Sequence, residues 1–111
     1  MSQIGRFTRE ESGFSGRIHT LTLYRDLTLV PVEPSESGNA PDYRLHQGND
    51  EGPAIGVGWK RTGKRAGHFI ALVIDDPALP HSIRANLYRD DDGGTSWSLH
   101  WIRPTKRRWT R

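Results

Sequence analysis

The sequence has no cysteine and only one methionine among its 111 residues. Without cysteine, a disulfide scaffold, a zinc–thiolate site and a cysteine nucleophile are excluded. Only 33% of the residues are hydrophobic, and no apolar run approaches the ~20 residues of a membrane span. The first residues, "MSQIGRFTREE", also lack the apolar stretch of a secretory signal. We therefore expect one cytoplasmic domain with no membrane segment and a thin core that depends on its aromatic side chains.

Recognisable catalytic and metal-binding motifs are missing as well. The five histidines show no H-x-x-x-H spacing. The acids of "DDDGG" at 90–94 are consecutive and lack the closing glutamate of a calcium loop, so this stretch predicts a turn. The segment "GWKRTGKR" at 58–65 matches a phosphate-binding loop except that Arg65 replaces the serine or threonine, and a strand pattern follows it instead of a helix. We predict no catalytic residue, no metal ligand and no cofactor.

Helical periodicity is also lacking, and apolar residues alternate instead, which is typical of β-strands. About eight short runs alternate in this way, at residues 3–8, 14–24, 27–33, 42–46, 54–61, 68–74, 83–88 and 97–103. Their close spacing predicts an all-β fold, a small antiparallel sandwich or barrel, with at most a short helical turn at Pro77–Leu79. We expect one domain over residues 1–104 and a basic, flexible tail over 105–111.

The connections between the strands give more specific expectations. The alternation shifts between Ile18 and Leu21, which indicates either a bulge or a strand with two apolar faces. Arg25 and Asp26 stand where a tight hairpin turn is expected. Pro31 has no N–H group for the sheet, so its strand should lie at an edge or be bulged.

The alternation also predicts which side chains form the core. We expect the core to contain Ile18, Leu21, Val57, Trp59, Ile70, Leu72, Leu87, Leu99 and Trp101. Gly56 and Gly58 share the opposite face of their strand, which indicates that an aromatic ring of this chain or a ligand packs close to the backbone there. The outward positions then include Lys60, Arg84, Tyr88 and Phe7.

Positive charge is concentrated in the second half of the chain. Residues 1–55 contain five Lys/Arg and eight Asp/Glu, a formal charge of −3, whereas residues 56–111 contain eleven and five, a charge of +6. A basic half of this kind attracts phosphate backbones or an acidic protein surface, although a solvated surface with a charged tail gives the same count. Basic residues interleaved with aromatic ones are typical of single-strand binding on β folds. The candidate binding residues are Lys60, Arg61, Lys64, Arg65, Arg84, Tyr88 and Arg103, with Lys106, Arg107, Arg108, Trp109 and Arg111 in the tail.

The stretch "KRTGKRAG" allows two interpretations. It is expected to form the turn of a hairpin that joins "AIGVGW" to "HFIALVI", with Gly63 and Gly67 supplying backbone freedom. As a turn it needs no ligand, and its four cations only keep the tip solvated. As a binding tip it presents the same cations on a rigid support, to phosphates or to an acidic protein.

The stretches "IGRFT", "GFSGRIHTLTL", "IGVGWKRTG", "PHSIRANLY" and "WSLHWIRP" resemble domain-of-unknown-function family 736 in order and spacing. The resemblance runs from about Gln3 to Pro104 and does not include the tail. It implies a small bacterial protein encoded on plasmids or integrative elements near conjugation genes. No activity is established for the family, so the resemblance supplies no catalytic residues.

The expected function follows from this setting and from the missing catalytic motifs. We expect a non-enzymatic accessory protein of a mobile genetic element that contacts nucleic acid or a nucleic-acid-handling protein, such as one of the transfer machinery, through a basic β surface. The alternative is an anti-CRISPR or anti-restriction inhibitor that binds a host nuclease, and an enzyme with an unrecognised site ranks third. The sequence leaves open whether the protein is a monomer or a homodimer.

Overall fold

The computed structural model describes residues 2–33, 38–65 and 67–104. Eight strands follow one another along the chain: β1 (Ser2–Glu10), β2 (Gly13–His19), β3 (Tyr24–Pro31), β4 (Tyr43–Gln47), β5 (Ala54–Gly63), β6 (Gly67–Ile74), β7 (Ile83–Arg89) and β8 (Ser96–Trp101). The all-β prediction is confirmed. The basic tail predicted at 105–111 lies outside the described residues.

The sheet closes on itself. Each strand pairs antiparallel with the next one in sequence, and β8 returns to pair with β1, where Phe7 lies opposite Trp97. Of the two architectures that the sequence left open, the barrel is therefore the correct one. Closure removes the exposed edges that an open sheet would present to other chains. The described residues include no helix long and apolar enough to cross a membrane.

Alternate side chains of the strands fill the interior. The buried hydrophobic residues are Phe7, Phe14, Ile18, Leu27, Leu29, Tyr43, Leu45, Ile70, Leu72, Ile74, Ala85, Leu87, Trp97 and Leu99. Five of the nine predicted core residues are among them, namely Ile18, Ile70, Leu72, Leu87 and Leu99. The prediction that Phe7 lies on the outer surface is wrong, because its side chain is only 2% exposed.

Strand β5 has the opposite orientation from the one predicted. Gly58 lies opposite buried Tyr43 and Leu72, so the glycine face points inward, and Val57 and Trp59 are half-buried on the outside. A β-carbon added at Gly58 would lie 2.6 Å from Cδ2 of Leu72. Leucine, and not an aromatic ring, is therefore the close neighbour, and the Leu72 side chain occupies the interior space next to Gly58.

The predicted turn at Arg25 and Asp26 is also wrong. Both residues lie in β3, and the hairpin turns earlier, where the Thr20 amide donates to the carbonyl oxygen of Leu23 at 2.7 Å. The Thr20 hydroxyl accepts a further bond from the Leu23 amide at 3.0 Å, which replaces the glycine that such turns usually need. Leu21 at the tip is fully exposed rather than in the core.

Trp101 and Pro31 both lie at strand ends, and both differ from what the sequence predicted. Trp101 ends β8 opposite Ala85, where the barrel opens, and it is half-buried instead of enclosed. Pro31 is the last residue of β3, opposite Tyr43, so its missing N–H group interrupts no ladder and the barrel needs no edge there.

The two ends of the barrel differ. The end reached by the last residues of β1, β3, β5 and β7 is called the mouth, and the opposite end, with the loops at 20–23, 48–53 and 75–82, is called the base. The pairing of β4 with β5 ends at Gly58, while β5 and β6 stay paired as far as Gly63 and Gly67, so their hairpin projects beyond the mouth. At the base, the expected helical turn is a single hydrogen-bonded turn, in which the Leu79 amide donates to the carbonyl oxygen of Asp76 at 2.9 Å.

Candidate functional site

The predicted hairpin tip is present at the projecting end of β5 and β6. Lys64 and Arg65 are exposed in the turn, and Gly67 adopts a φ of 70°, a left-handed conformation that favours glycine. The chain after the turn forms strand β6 and not a helix, so the similarity to a phosphate-binding loop is limited to the sequence. The tip presents its cations to solvent without a helix N-terminus behind them.

Arg61 and Tyr88 are brought into one row on the outer surface. Arg61 lies opposite Phe69 on β6, and Phe69 lies opposite Tyr88 on β7. The ring centroids of Phe69 and Tyr88 are 5.3 Å apart, and that of His100 on β8 lies 5.5 Å from Tyr88. We call these three half-buried rings, Phe69, Tyr88 and His100, the outer strip. Phe69 and His100 were not predicted as binding residues, because within its own strand each has no basic or aromatic pattern that distinguishes it.

The outer strip is held in place by its neighbours. The Asn86 amide Nδ2 donates to the Tyr88 hydroxyl at 2.8 Å, which fixes the direction of that ring along β7. Arg84 follows on the same outward face of β7, exposed, toward the base. Arg61 therefore borders the outer strip on β5, and Arg84 lies beside it on β7, four residues from Tyr88 toward the base.

The seven predicted residues do not form a single patch. Arg103 lies at the base, where its guanidinium carbon is 4.7 Å from the ring centroid of Trp101. The amide of Ile102 donates to the carbonyl oxygen of Arg84 at 2.9 Å, so Arg84 and Arg103 both belong to the base side. Lys64 and Arg65 lie at the mouth, and Tyr88 stands between the two groups.

Lys60 does not lie on the outer face, as the sequence predicted. It follows Gly58 on the inward side of β5, and its ammonium nitrogen lies 5.8 Å from the ring centroid of Tyr43. There it lines an open cavity of about 730 Å³ at the mouth, together with Arg9 and Arg89. Arg9 and Arg89 were missed, although each stands two positions after a buried residue, Phe7 or Leu87, and so shares its face.

Carboxylates near the mouth are engaged in local hydrogen bonds. Asp42 accepts from the Lys60 amide at 2.8 Å, and Asp91 accepts from the Thr95 amide at 3.1 Å. The latter bond belongs to the 90–95 loop, where Gly94 has a φ of 72°, so the acidic stretch is the predicted turn. These bonds orient the acids toward their own loops.

One cluster on β8 has the residue types of a hydrolase. Buried Ser98 donates its hydroxyl hydrogen to Asp90 at 2.8 Å, and its oxygen lies 2.9 Å from Nε2 of His100. Since its one hydrogen is directed at Asp90, the Ser98 hydroxyl is the acceptor, and not the donor, in its contact with His100. A serine nucleophile needs the reverse, a histidine that accepts the serine hydrogen. The arrangement anchors the 90–95 loop and orients His100.

A separate charged cluster lies on the outer face of β2 and β3. Nε of Arg17 donates to Asp26 at 2.7 Å, and a second guanidinium nitrogen donates to the Tyr24 hydroxyl at 2.6 Å. The hydrogen bond to Asp26 and the attraction of its charge raise the pKa of the Arg17 guanidinium above its ordinary value. Arg17 is therefore occupied by its own neighbours, unlike the cations of the mouth. Across the residues that the structure describes, no group of three or more histidine and acidic side chains is placed to hold a metal ion.

One of three comparisons with known proteins gives a match, and it covers the chain almost from end to end. The comparisons with curated proteins and with solved structures give no match. The model of a family described as "Protein of unknown function (DUF736)" matches residues 3–104, which include the whole barrel. The chain therefore belongs to the DUF736 family.

Proposed function

We propose that this protein binds single-stranded nucleic acid without catalysis, through the outer strip and the projecting hairpin. The observation that carries the proposal is the row formed by Arg61, Phe69 and Tyr88 on three adjacent strands, continued by His100. Rings on a rigid sheet that are bordered by cations are the arrangement with which β folds stack bases and hold phosphates.

The spacing between Tyr88 and Arg84 favours an extended single strand of nucleic acid over a duplex. Arg84 lies four residues before Tyr88 on β7, a separation of ~13 Å at the usual rise of a strand. Phosphates near Arg61 and Arg84 would thus bracket bases that lie on the rings. A duplex hides its bases and offers no ring face to the outer strip, so it would be held only through phosphates.

The biological setting of the proposal rests on the sequence resemblance to proteins of plasmids and integrative elements. DNA is transferred between cells as a single strand during conjugation, and a small cytoplasmic protein with a stacking surface would serve as an accessory factor there. The alternative is an inhibitor that places the same cations against an acidic surface of a host nuclease. The accessory factor and the inhibitor differ in how much Tyr88 should contribute to binding. Stacking on a base needs the Tyr88 ring, whereas binding to an acidic protein surface needs only the cations.

The test is a titration of a labelled 20-nucleotide single strand and its duplex at two salt concentrations. We expect the single strand to bind more tightly than the duplex and to lose affinity steeply with salt. Replacing Tyr88 by alanine should weaken single-strand binding about fivefold to a hundredfold, the usual range for removing one stacking ring. Tyr24→Ala is the matched control, since Tyr24 is an exposed tyrosine on the outer face of β3, away from the outer strip.

Two results would contradict the proposal. One is equal loss of binding in the Tyr88 and Tyr24 variants. The other is the absence of any salt-dependent single-strand binding, and capture of a host nuclease by the same protein would then support the inhibitor.

A further inference from the structure

The mouth of the barrel is an open cavity of about 730 Å³ with an aromatic floor. Phe14 stands at the centre of the floor, with its ring centroid 5.9 Å from that of Tyr43 and 5.1 Å from that of Trp97. Both pairs meet edge to face, which is a favourable geometry for aromatic rings. The indole Nε1 of Trp97 donates to the carbonyl oxygen of Gly94 at 2.8 Å, so the floor keeps a fixed shape. Its three rings border the cavity with only their edges accessible, at 2% for Phe14, 7% for Tyr43 and 5% for Trp97.

Three cations from three strands surround this floor. Arg9 on β1, Lys60 on β5 and Arg89 on β7 all stand on the inward side of their strands and line the cavity. The guanidinium carbon of Arg9 lies 5.5 Å from the ring centroid of Phe14, which brings the charge directly over the floor. Alternation alone places all three there, since each continues a row of buried residues past the end of the core.

Of the residues that the structure describes, none of those lining the cavity carries a carboxylate. Among the described residues, the ion pair between Arg17 and Asp26 is the only one within 4.0 Å, and it lies on the outer face. Three like charges around one opening repel each other, and a concave wall of low dielectric constant concentrates their field. The mouth is therefore arranged to attract an anion.

We propose that the mouth is a binding site for a nucleoside monophosphate, with the phosphate on Arg9, Lys60 and Arg89 and the base against the aromatic floor. The volume lies within the ~300–1,000 Å³ of pockets that enclose small organic ligands. Arginine offers paired N–H donors that match phosphate oxygens, and two arginines with one lysine provide for a doubly charged group. Inorganic phosphate alone would leave the apolar floor uncovered, and an uncharged ring would leave the cations uncompensated.

The rim supplies polar groups for the rest of the ligand. The Thr62 hydroxyl and Nδ1 of His68 lie 3.1 Å apart where the hairpin projects over the cavity. A hydroxyl and an imidazole at the rim can form hydrogen bonds with the ribose or with the edge of a base. The same nucleotide chemistry is found in a free nucleotide and at the phosphorylated end of a strand, and the mouth would recognise both through the same contacts.

Isothermal titration of the full chain with AMP, CMP, adenosine and inorganic phosphate tests the site. We expect both nucleotides to bind, and adenosine and phosphate each to bind at least tenfold more weakly. The variant Arg9→Gln/Arg89→Gln should weaken AMP binding by tenfold or more, because two charge-assisted contacts are lost. The control Arg6→Gln/Arg44→Gln removes the same charge from exposed positions on outward faces and should change the affinity less than twofold.

Further measurements separate the two sources of the ligand, and they separate binding at the mouth from binding at the outer strip. A single strand with a 5′-phosphate that binds more tightly than its 5′-hydroxyl counterpart would identify the strand end as a ligand, and equal binding would identify the free nucleotide. Tyr88→Ala should leave AMP binding unchanged, so a failure of the outer strip to bind single strands does not affect the mouth. If the arginine double variant does not fold, Lys60→Gln is compared with Arg44→Gln.

The proposal is overturned by either of two results. The first is no AMP or CMP binding at millimolar concentration to the folded protein. The second is an equal loss of affinity in the mouth variant and its outer-face control, which would reduce the effect to net charge.

Discussion

Trp97 and Trp59 lie on opposite sides of the barrel wall. Trp97 is 5% exposed and packs against Phe14 in the floor of the mouth. Trp59 is half-buried on the outside, where its Nε1 donates to the carbonyl oxygen of Asn39 at 3.1 Å and the guanidinium carbon of Arg61 lies 5.8 Å from its ring centroid. The sequence analysis placed Trp59 in the core, because a tryptophan in an alternating strand gives the same pattern whether its face is inside or outside.

The two tryptophans should therefore differ in their contribution to stability. Trp97→Ala should lower the free energy of unfolding by ~3–5 kcal/mol, the usual loss for a buried large aromatic residue. Trp59→Ala should cost about 1 kcal/mol, close to the average for a point substitution. Urea unfolding followed by circular dichroism measures both, and equal losses would show that Trp59 is as enclosed as Trp97.

Strand β5 and its hairpin show how far a pattern predicts an element. The alternation of Ile55, Val57 and Trp59 located the strand and its period, and the two glycines located the face that packs closely. The choice between inside and outside failed because hydrophobicity usually marks the core face, whereas this barrel is so narrow at β5 that Leu72 fills the space instead. The projecting tip was predicted correctly because a run of cations between two glycines has no place in a core.

The tip offers a prediction that separates binding from stability. Replacing Arg61, Lys64 and Arg65 together by alanine should change the free energy of unfolding by less than about 1 kcal/mol, because exposed charges contribute little. Single-strand binding should weaken, and the slope of its logarithm against salt should fall by about one unit for each lost phosphate contact. Full retention of binding would leave the tip a solvated turn and move the interface toward Arg84.

Closure between the first strand and the last organises the whole molecule. The strands were predictable one at a time, since each carries its own pattern, but the pairing of Phe7 with Trp97 joins residues far apart in sequence and leaves no local signal. The mouth also depends on closure, because Arg9 and Arg89 line the same cavity only when β1 and β8 meet. This is why the sequence analysis missed Arg9 and Arg89 and assigned Lys60 to the outer surface.

Closure predicts an unusual pattern of hydrogen exchange. Strands near chain ends commonly exchange fast, since they fray, but amides of β1 and β8 should exchange as slowly as those of β6 and β7, because both sides of each strand are paired. The projecting part of the hairpin, at Thr62 and His68, should exchange faster, as it has only one partner strand. Exchange measured by NMR would contradict the closed barrel if β1 and β8 lost protection first.

Both described ends of the chain lie at the base, where Ser2 is paired with Trp101. Anything joined directly to Ser2 or to Pro104 would therefore begin on the far side from the mouth and the projecting hairpin. A fusion partner or a surface tether would leave the opening facing outward, with its approach unobstructed. The same proximity allows the two ends to be connected by a short linker and new ends to be cut at another loop of the base, such as 48–53.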